Sequence, residues 1–114
     1  MTKSDYAGYV VSDLLVGLDG VTARAMFGEY ALYLDGTIFA LVCDDVLYFK
    51  ADETNRARYE KAGSRQYTYR SGGKDVTMPY WEVPADILED REEIAKWARE
   101  SQRVTLKAHP KKCA

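Results

Sequence analysis

A chain of 114 residues fits one domain and can bury about 65% of the surface that it exposes when unfolded. Hydrophobic residues at 46% and charged residues at 30% exclude a disordered chain, and no apolar run nears the ~18 residues of a membrane span. The net charge of −2 is unevenly spread: residues 1–57 carry four Lys/Arg against nine Asp/Glu, and residues 58–114 carry twelve against nine.

The start, Met1 to Asp5, lacks the charged-then-apolar pattern of a signal peptide, so a cytoplasmic location is expected. Ser4 to Leu18 reads as a helix, with Ser4 as its cap and Asp5 in the first turn. Tyr6, Val10, Leu14 and Leu18 recur at helical spacing, Tyr9 and Val16 widen the apolar stripe, and Gly17 and Gly20 bracket the end. From Val21 the pattern turns to strands. Ala23 to Phe27 is apolar apart from Arg24, and Gly28 interrupts it as at a bulge or a bend. Tyr30 to Leu34 runs into Asp35-Gly36, a strong hairpin signal because both residues tolerate positive φ. Thr37 to Cys43 is the returning leg, Asp44-Asp45 turns again, and Val46 to Lys50 follows as a third strand.

Asp52 to Ala62 reads as a short helix with Asp52 as its cap, Tyr59 as its main apolar contact and Gly63 as its stop. Gln66 to Arg70 and Val76 to Met78 flank Ser71-Gly72-Gly73-Lys74, a second hairpin. Tyr80 to Val83 continues the outgoing strand past Pro79, which suits an edge or a bulge. After Pro84 comes a last helix. Asp86 with Glu89 and Asp90 with Glu93 both have capping-box spacing, so its start is ambiguous by one turn. Its buried stripe is Ile94, Trp97, Ala98 and Val104.

The resulting class is α+β, in the order α-β(3)-α-β(2)-α, with an antiparallel sheet and flanking helices. Residues 1–105 form the domain, and residues 106–114 a basic tail without fixed structure. Tyr30 to Leu34 and Ile38 to Val42 are apolar on both alternating faces, where a half-wet sheet would alternate apolar with polar. Helices are expected on one face, and another element or a second subunit on the other. A homodimer through the helix-free face is the expectation.

No catalytic, cofactor-binding or metal-binding constellation is present, so neither enzyme chemistry nor a cofactor is expected. The single histidine, His109, lies in the basic tail, and no Cys-x-x-Cys, His-x-x-x-His or acidic loop has metal-ligand spacing. Gly72-Gly73 joins two strands and does not open a phosphate-binding helix. Cys43 in an apolar strand and the penultimate Cys113 are expected to be reduced, Cys43 as a small buried hydrophobe. The last dozen residues hold Arg103, Lys107, Lys111 and Lys112 without an acid, which leaves open a weak, salt-sensitive contact with nucleic acid. Direct nucleic-acid binding by the sheet is not expected, because its first half is acidic. The best interaction constellation is Arg24, Lys50, Lys74 and Glu82 among the tyrosines Tyr33, Tyr48, Tyr69 and Tyr80. It reads either as an ion-pair network over the sheet edge or as a surface for a partner or a small ligand.

The sequence also resembles a known family. Met26-Phe27-Gly28, Tyr33 and Asp35-Gly36 are similar to the opening motif of the TfoX N-terminal domain. Leu47-Tyr48-Phe49-Lys50, Asp52-Glu53 and Arg58-Tyr59 resemble its middle. Tyr69, Gly73-Lys74, Met78, Tyr80-Trp81-Glu82-Val83-Pro84, Leu88-Glu89-Asp90 and Trp97-Ala98 resemble its end. The resemblance implies an α-β(3)-α-β(2)-α domain like type III secretion chaperones. It implies a role in competence regulation, where this domain precedes a C-terminal domain and the two help to switch on DNA-uptake genes. A stand-alone member lacking that second domain is expected, with an unidentified protein partner from the transcription machinery and no membrane association.

Overall fold

The computed structural model describes residues 3–26 and 29–108. The first helix, α1 (Lys3–Tyr9), runs on as a wider π-helical turn, Val10–Leu14, closed by the Leu15 amide on the Val10 carbonyl at 2.8 Å. Lys3 is already helical, so Ser4 lies inside the helix and not at its cap. Val10, Leu14, Leu15 and Leu18 are buried, whereas Tyr9 and Val16 are exposed. The apolar stripe is therefore narrower than the sequence suggests, because the helical segment ends at Leu14 and Val16 lies in the turn beyond it. Gly20, at φ +85°, ends the turn, and a Cβ there would collide with the Asp35 carboxylate.

Six strands form one antiparallel sheet in the order β1-β2-β3-β4-β6-β5: β1 (Val21–Met26), β2 (Glu29–Leu34), β3 (Thr37–Cys43), β4 (Val46–Lys50), β5 (Gln66–Ser71) and β6 (Lys74–Glu82). Four strands precede the second helix where three are expected. The apolar stretch before Gly28 is a strand of its own, paired along its length with β2 and with Met26 opposite Glu29. Gly28 itself lies outside the described residues. Asp35-Gly36, Asp44-Asp45 and Gly72-Gly73 all hold positive φ at both positions, the backbone that two-residue hairpins require.

Two irregularities shape the sheet. Leu32 opposes Ala40 but Tyr33 opposes Ile38, so Phe39 is an extra residue in β3. The bulge switches the alternation, putting Phe39, Ala40 and Val42 in the main core and Ile38 and Leu41 on the opposite face. In β6 the second irregularity surrounds Pro79: Gln66 opposes Trp81 while Thr68 opposes Thr77. Pro79 thus sits at a bulge within the sheet, not on an edge strand.

Helices cover one face. α2 (Arg56–Lys61) is preceded by an Asx turn, in which Asp52 accepts from the Thr54 amide at 2.8 Å, and Asn55 is its N-terminal boundary. After the short α3 (Ala85–Leu88) comes α4 (Arg91–Ala108). The Asp90 carboxylate accepts from the Glu92 and Glu93 amides, both at 3.1 Å, which settles the start of the long helix. Ile94 and Ala98 join Val10, Leu32, Phe49 and Tyr59 in the main core. Thr105 donates to the Ile38 carbonyl at 2.7 Å, seating α4 on the β3 bulge. This helix continues three residues past the expected domain end at 105, so Arg103 and Lys107 belong to it. His109, Lys111, Lys112 and Cys113 lie outside the described residues.

Candidate functional site

The face without helices is a concave trough. Its floor is Ala31, Leu41 and Tyr80, all buried, with the half-buried Tyr33, Ile38, Tyr48, Tyr67 and Met78 packed around them. The Tyr67 hydroxyl of β5 donates to the Glu29 carboxylate of β2. In a flat sheet β6, β4 and β3 would hold these strands about 19 Å apart, four spacings of ~4.8 Å, farther than the two side chains reach. The sheet must therefore curl, and the extra β6 residues around Pro79 give it room to bend. The curl brings the β5 tyrosines over the sheet, with Tyr48 and Tyr67 ring centroids 5.1 Å apart and Tyr67 and Tyr69 at 6.1 Å.

Glu29 anchors the closed end. Besides the Tyr67 hydroxyl, its carboxylate has the Cys43 thiol at 3.3 Å, and that sulfur lies 3.7 Å from the Tyr67 oxygen. Cys43 is a free thiol, half-buried and hydrogen-bonded, so it is more than the small hydrophobe expected of it. Burial raises the pKa of the Cys43 thiol, with Glu29 adding to the shift and Tyr67 opposing it. Tyr67 is pushed well above the ordinary phenol range, first by burial and then by its hydrogen bond to Glu29. Burial lifts Tyr80 to about 12, with Tyr33 adding to the shift. Both donors to Glu29 thus stay protonated and neutral near pH 7, and among the described residues no cation pairs with this carboxylate.

The expected interaction residues are scattered over the same side of the sheet. Arg24 opposes Ala31 across the β1–β2 pair, Glu82 opposes Tyr48, and Lys50 opposes Tyr80, so each shares a face with a trough residue. Lys50 Nζ lies 5.9 Å from the Tyr80 ring centroid, and burial lowers its pKa. Tyr33 packs against the floor, Tyr69 lines the trough at 41% exposure, and Lys74 stands exposed beside the Gly72-Gly73 turn. No ion pair joins any two of Arg24, Lys50, Lys74 and Glu82, so these four charges are not linked to one another as the first of the two readings has them. Sequence reasoning passed over Glu29, Tyr67 and Cys43 as a group. Alternation in β2 and β5 sets Glu29 with Tyr33 and Tyr67 with Tyr69, but the curl that joins them has no local signal.

A second groove, of about 340 Å³, lies between α2 and α4. Its lining side chains are mostly charged or polar, and several of the charges are engaged within the fold. Arg58 pairs with Glu100 and lies 5.1 Å from the Trp97 ring centroid, while Lys107 reaches Glu53 at 4.0 Å. Among the described residues no group of three His, Cys, Asp or Glu side chains is placed to hold a metal ion, and no helix is long and apolar enough to cross a membrane.

Comparison with known proteins agrees with this architecture. Residues 13–105 match the family described as the TfoX N-terminal domain. Over 99 residues the chain is 29% identical to Protein Sxy of Escherichia coli (strain K12), a match covering 87% of this chain and 47% of Sxy. It therefore spans about half the length of that relative. Over 109 residues it is 33% identical to the uncharacterized 12.7 kDa protein in the trpE 5' region of Spirochaeta aurantia, covering 96% of this chain and 84% of that one.

Proposed function

Because this chain belongs to the TfoX N-terminal domain family, we propose that it is a regulatory protein-interaction domain of the cytoplasm, without catalysis of its own. It pairs with a second copy of itself and docks on a protein of the transcription machinery, the role in competence regulation that the family resemblance implies. The observation that carries this reading is the helix-free side of the sheet. Tyr33, Ile38, Tyr48 and Met78 are left half-exposed there over a buried floor, and tyrosine and methionine are enriched at interfaces. Single charges edge this apolar ground, with Arg24 on β1 and Glu82 on β6 at opposite sides of the floor, so two copies related by a two-fold axis can set unlike charges together.

The test is affinity capture by the chain and by its Tyr33→Lys variant, from nuclease-treated lysate, after both have given the same melting temperature. A stoichiometric protein held by the first and lost from the second supports the reading. Equal capture by both moves the docking surface elsewhere. A chain that captures nothing overturns the interaction role.

A further inference from the structure

The closed end of the trough is a cavity of about 410 Å³, inside the ~300–1,000 Å³ range of small-molecule sites. Ile38, Leu41 and Met78 form its apolar walls and the rings of Tyr69 and Tyr80 its aromatic ones, with Glu29 and the Tyr67 hydroxyl at one end. From this geometry we infer that the trough binds a small organic cation, an amine or quaternary ammonium carried on an apolar or aromatic body.

Three features select that chemistry. Glu29 supplies a carboxylate beside an otherwise apolar and aromatic lining. Among the described residues no cation compensates that charge: Tyr67 and Cys43 donate hydrogen bonds but bring no positive charge. Three tyrosines line the cavity, a residue type whose ring attracts cations, and Tyr80 already does so on the side where Lys50 Nζ approaches it. A neutral ligand would gain the apolar contacts and leave the carboxylate unpaired, and an anion would be repelled by it. Lys50 approaches this arrangement from the Tyr80 side. It is engaged at Tyr80 and does not line the cavity.

The cavity shares Ile38 and Met78 with the proposed interface, so ligand binding is coupled to association and is titrated on the monomer, where it succeeds or fails on its own. The trough would then be the place where a cationic metabolite or signal adjusts the surface that the partner reads.

The experiment titrates the full chain with benzyltrimethylammonium and, in parallel, with neopentylbenzene, its uncharged isostere, following amide and side-chain shifts by NMR. Saturable shifts centred on Leu41, Tyr67, Tyr69 and Met78 are expected with the cation, with the isostere at least about ten-fold weaker. In Glu29→Gln, whose amide oxygen still accepts from Tyr67, cation affinity should fall about ten-fold while the isostere is unaffected. If Glu29→Gln does not fold, Tyr69→Ala serves, since its ring is partly exposed, and a loss of cation binding of at least about three-fold is expected there. Equal binding of cation and isostere, or no saturation by about 10 mM, overturns the inference. Shifts confined to the α2–α4 groove overturn it as well.

Discussion

At the scale of single residues, Tyr59 is the test of how tightly the helix face is packed. Its ring is fully buried and meets Trp97 edge-on at 4.9 Å, while its hydroxyl faces the equally buried Ser101 hydroxyl and makes no well-formed hydrogen bond among the described residues. A buried hydroxyl without a partner costs free energy that its removal returns. Tyr59→Phe should therefore unfold in urea within about 1 kcal/mol of the parent, or be more stable, whereas Tyr59→Ala should lose about 3–5 kcal/mol through the cavity it leaves. A loss well above that bound in Tyr59→Phe would show that the hydroxyl is satisfied after all. Arg58 is a contrasting case, because its guanidinium joins Glu100 and Trp97 at a half-exposed site. Exposed pairs of this kind are worth no more than about 1 kcal/mol.

At the scale of elements, the start of α4 is decided by one side chain. Asp90→Ala should cost about 1 kcal/mol in thermal or urea unfolding, since it removes the acceptor for two helix-end amides. Asp86→Ala, on the exposed first turn of α3, should change stability by less than about 0.5 kcal/mol. The two capping-box spacings looked alike in the sequence because spacing carries no information on which carboxylate turns back onto the backbone. The hairpins, by contrast, were legible from two residues each, since Asp35-Gly36 and Gly72-Gly73 favour the backbone that the turn demands. Local chemistry of that sort also identified α2 and most of α4. What was not legible is long-range. The β3 bulge at Phe39 needs Thr105 and the β2 ladder to define it, and the curl at Pro79 appears only when Tyr67 finds Glu29. The expected interaction residues were read one strand at a time, which grouped residues of the helix-free face and missed the carboxylate that Tyr67 meets there.

For the whole molecule, the tyrosines tie stability to alkaline pH. Burial raises the phenol pKa of Tyr59, Tyr67 and Tyr80 in the folded chain, to about 12 for Tyr80, against an ordinary value of about 10. The fold holds these protons more tightly than the unfolded chain does. Its contribution from them is complete below pH ~10 and is lost as the pH climbs from about 10 towards 12. Absorbance of tyrosinate should therefore rise in two stages, the exposed phenols first and the buried ones together with unfolding. A single smooth titration of all nine tyrosines, with the fold retained, contradicts the burial described here. The central claim is that the helix-free side of the sheet is an interface, and it is tested most directly by sedimentation velocity over a wide concentration range. The account predicts a reversible monomer–dimer equilibrium in the parent chain and a monomer of unchanged stability in Tyr33→Lys. A parent chain that stays monomeric at the highest concentration, or a Tyr33→Lys variant that dimerises as well as the parent, contradicts it.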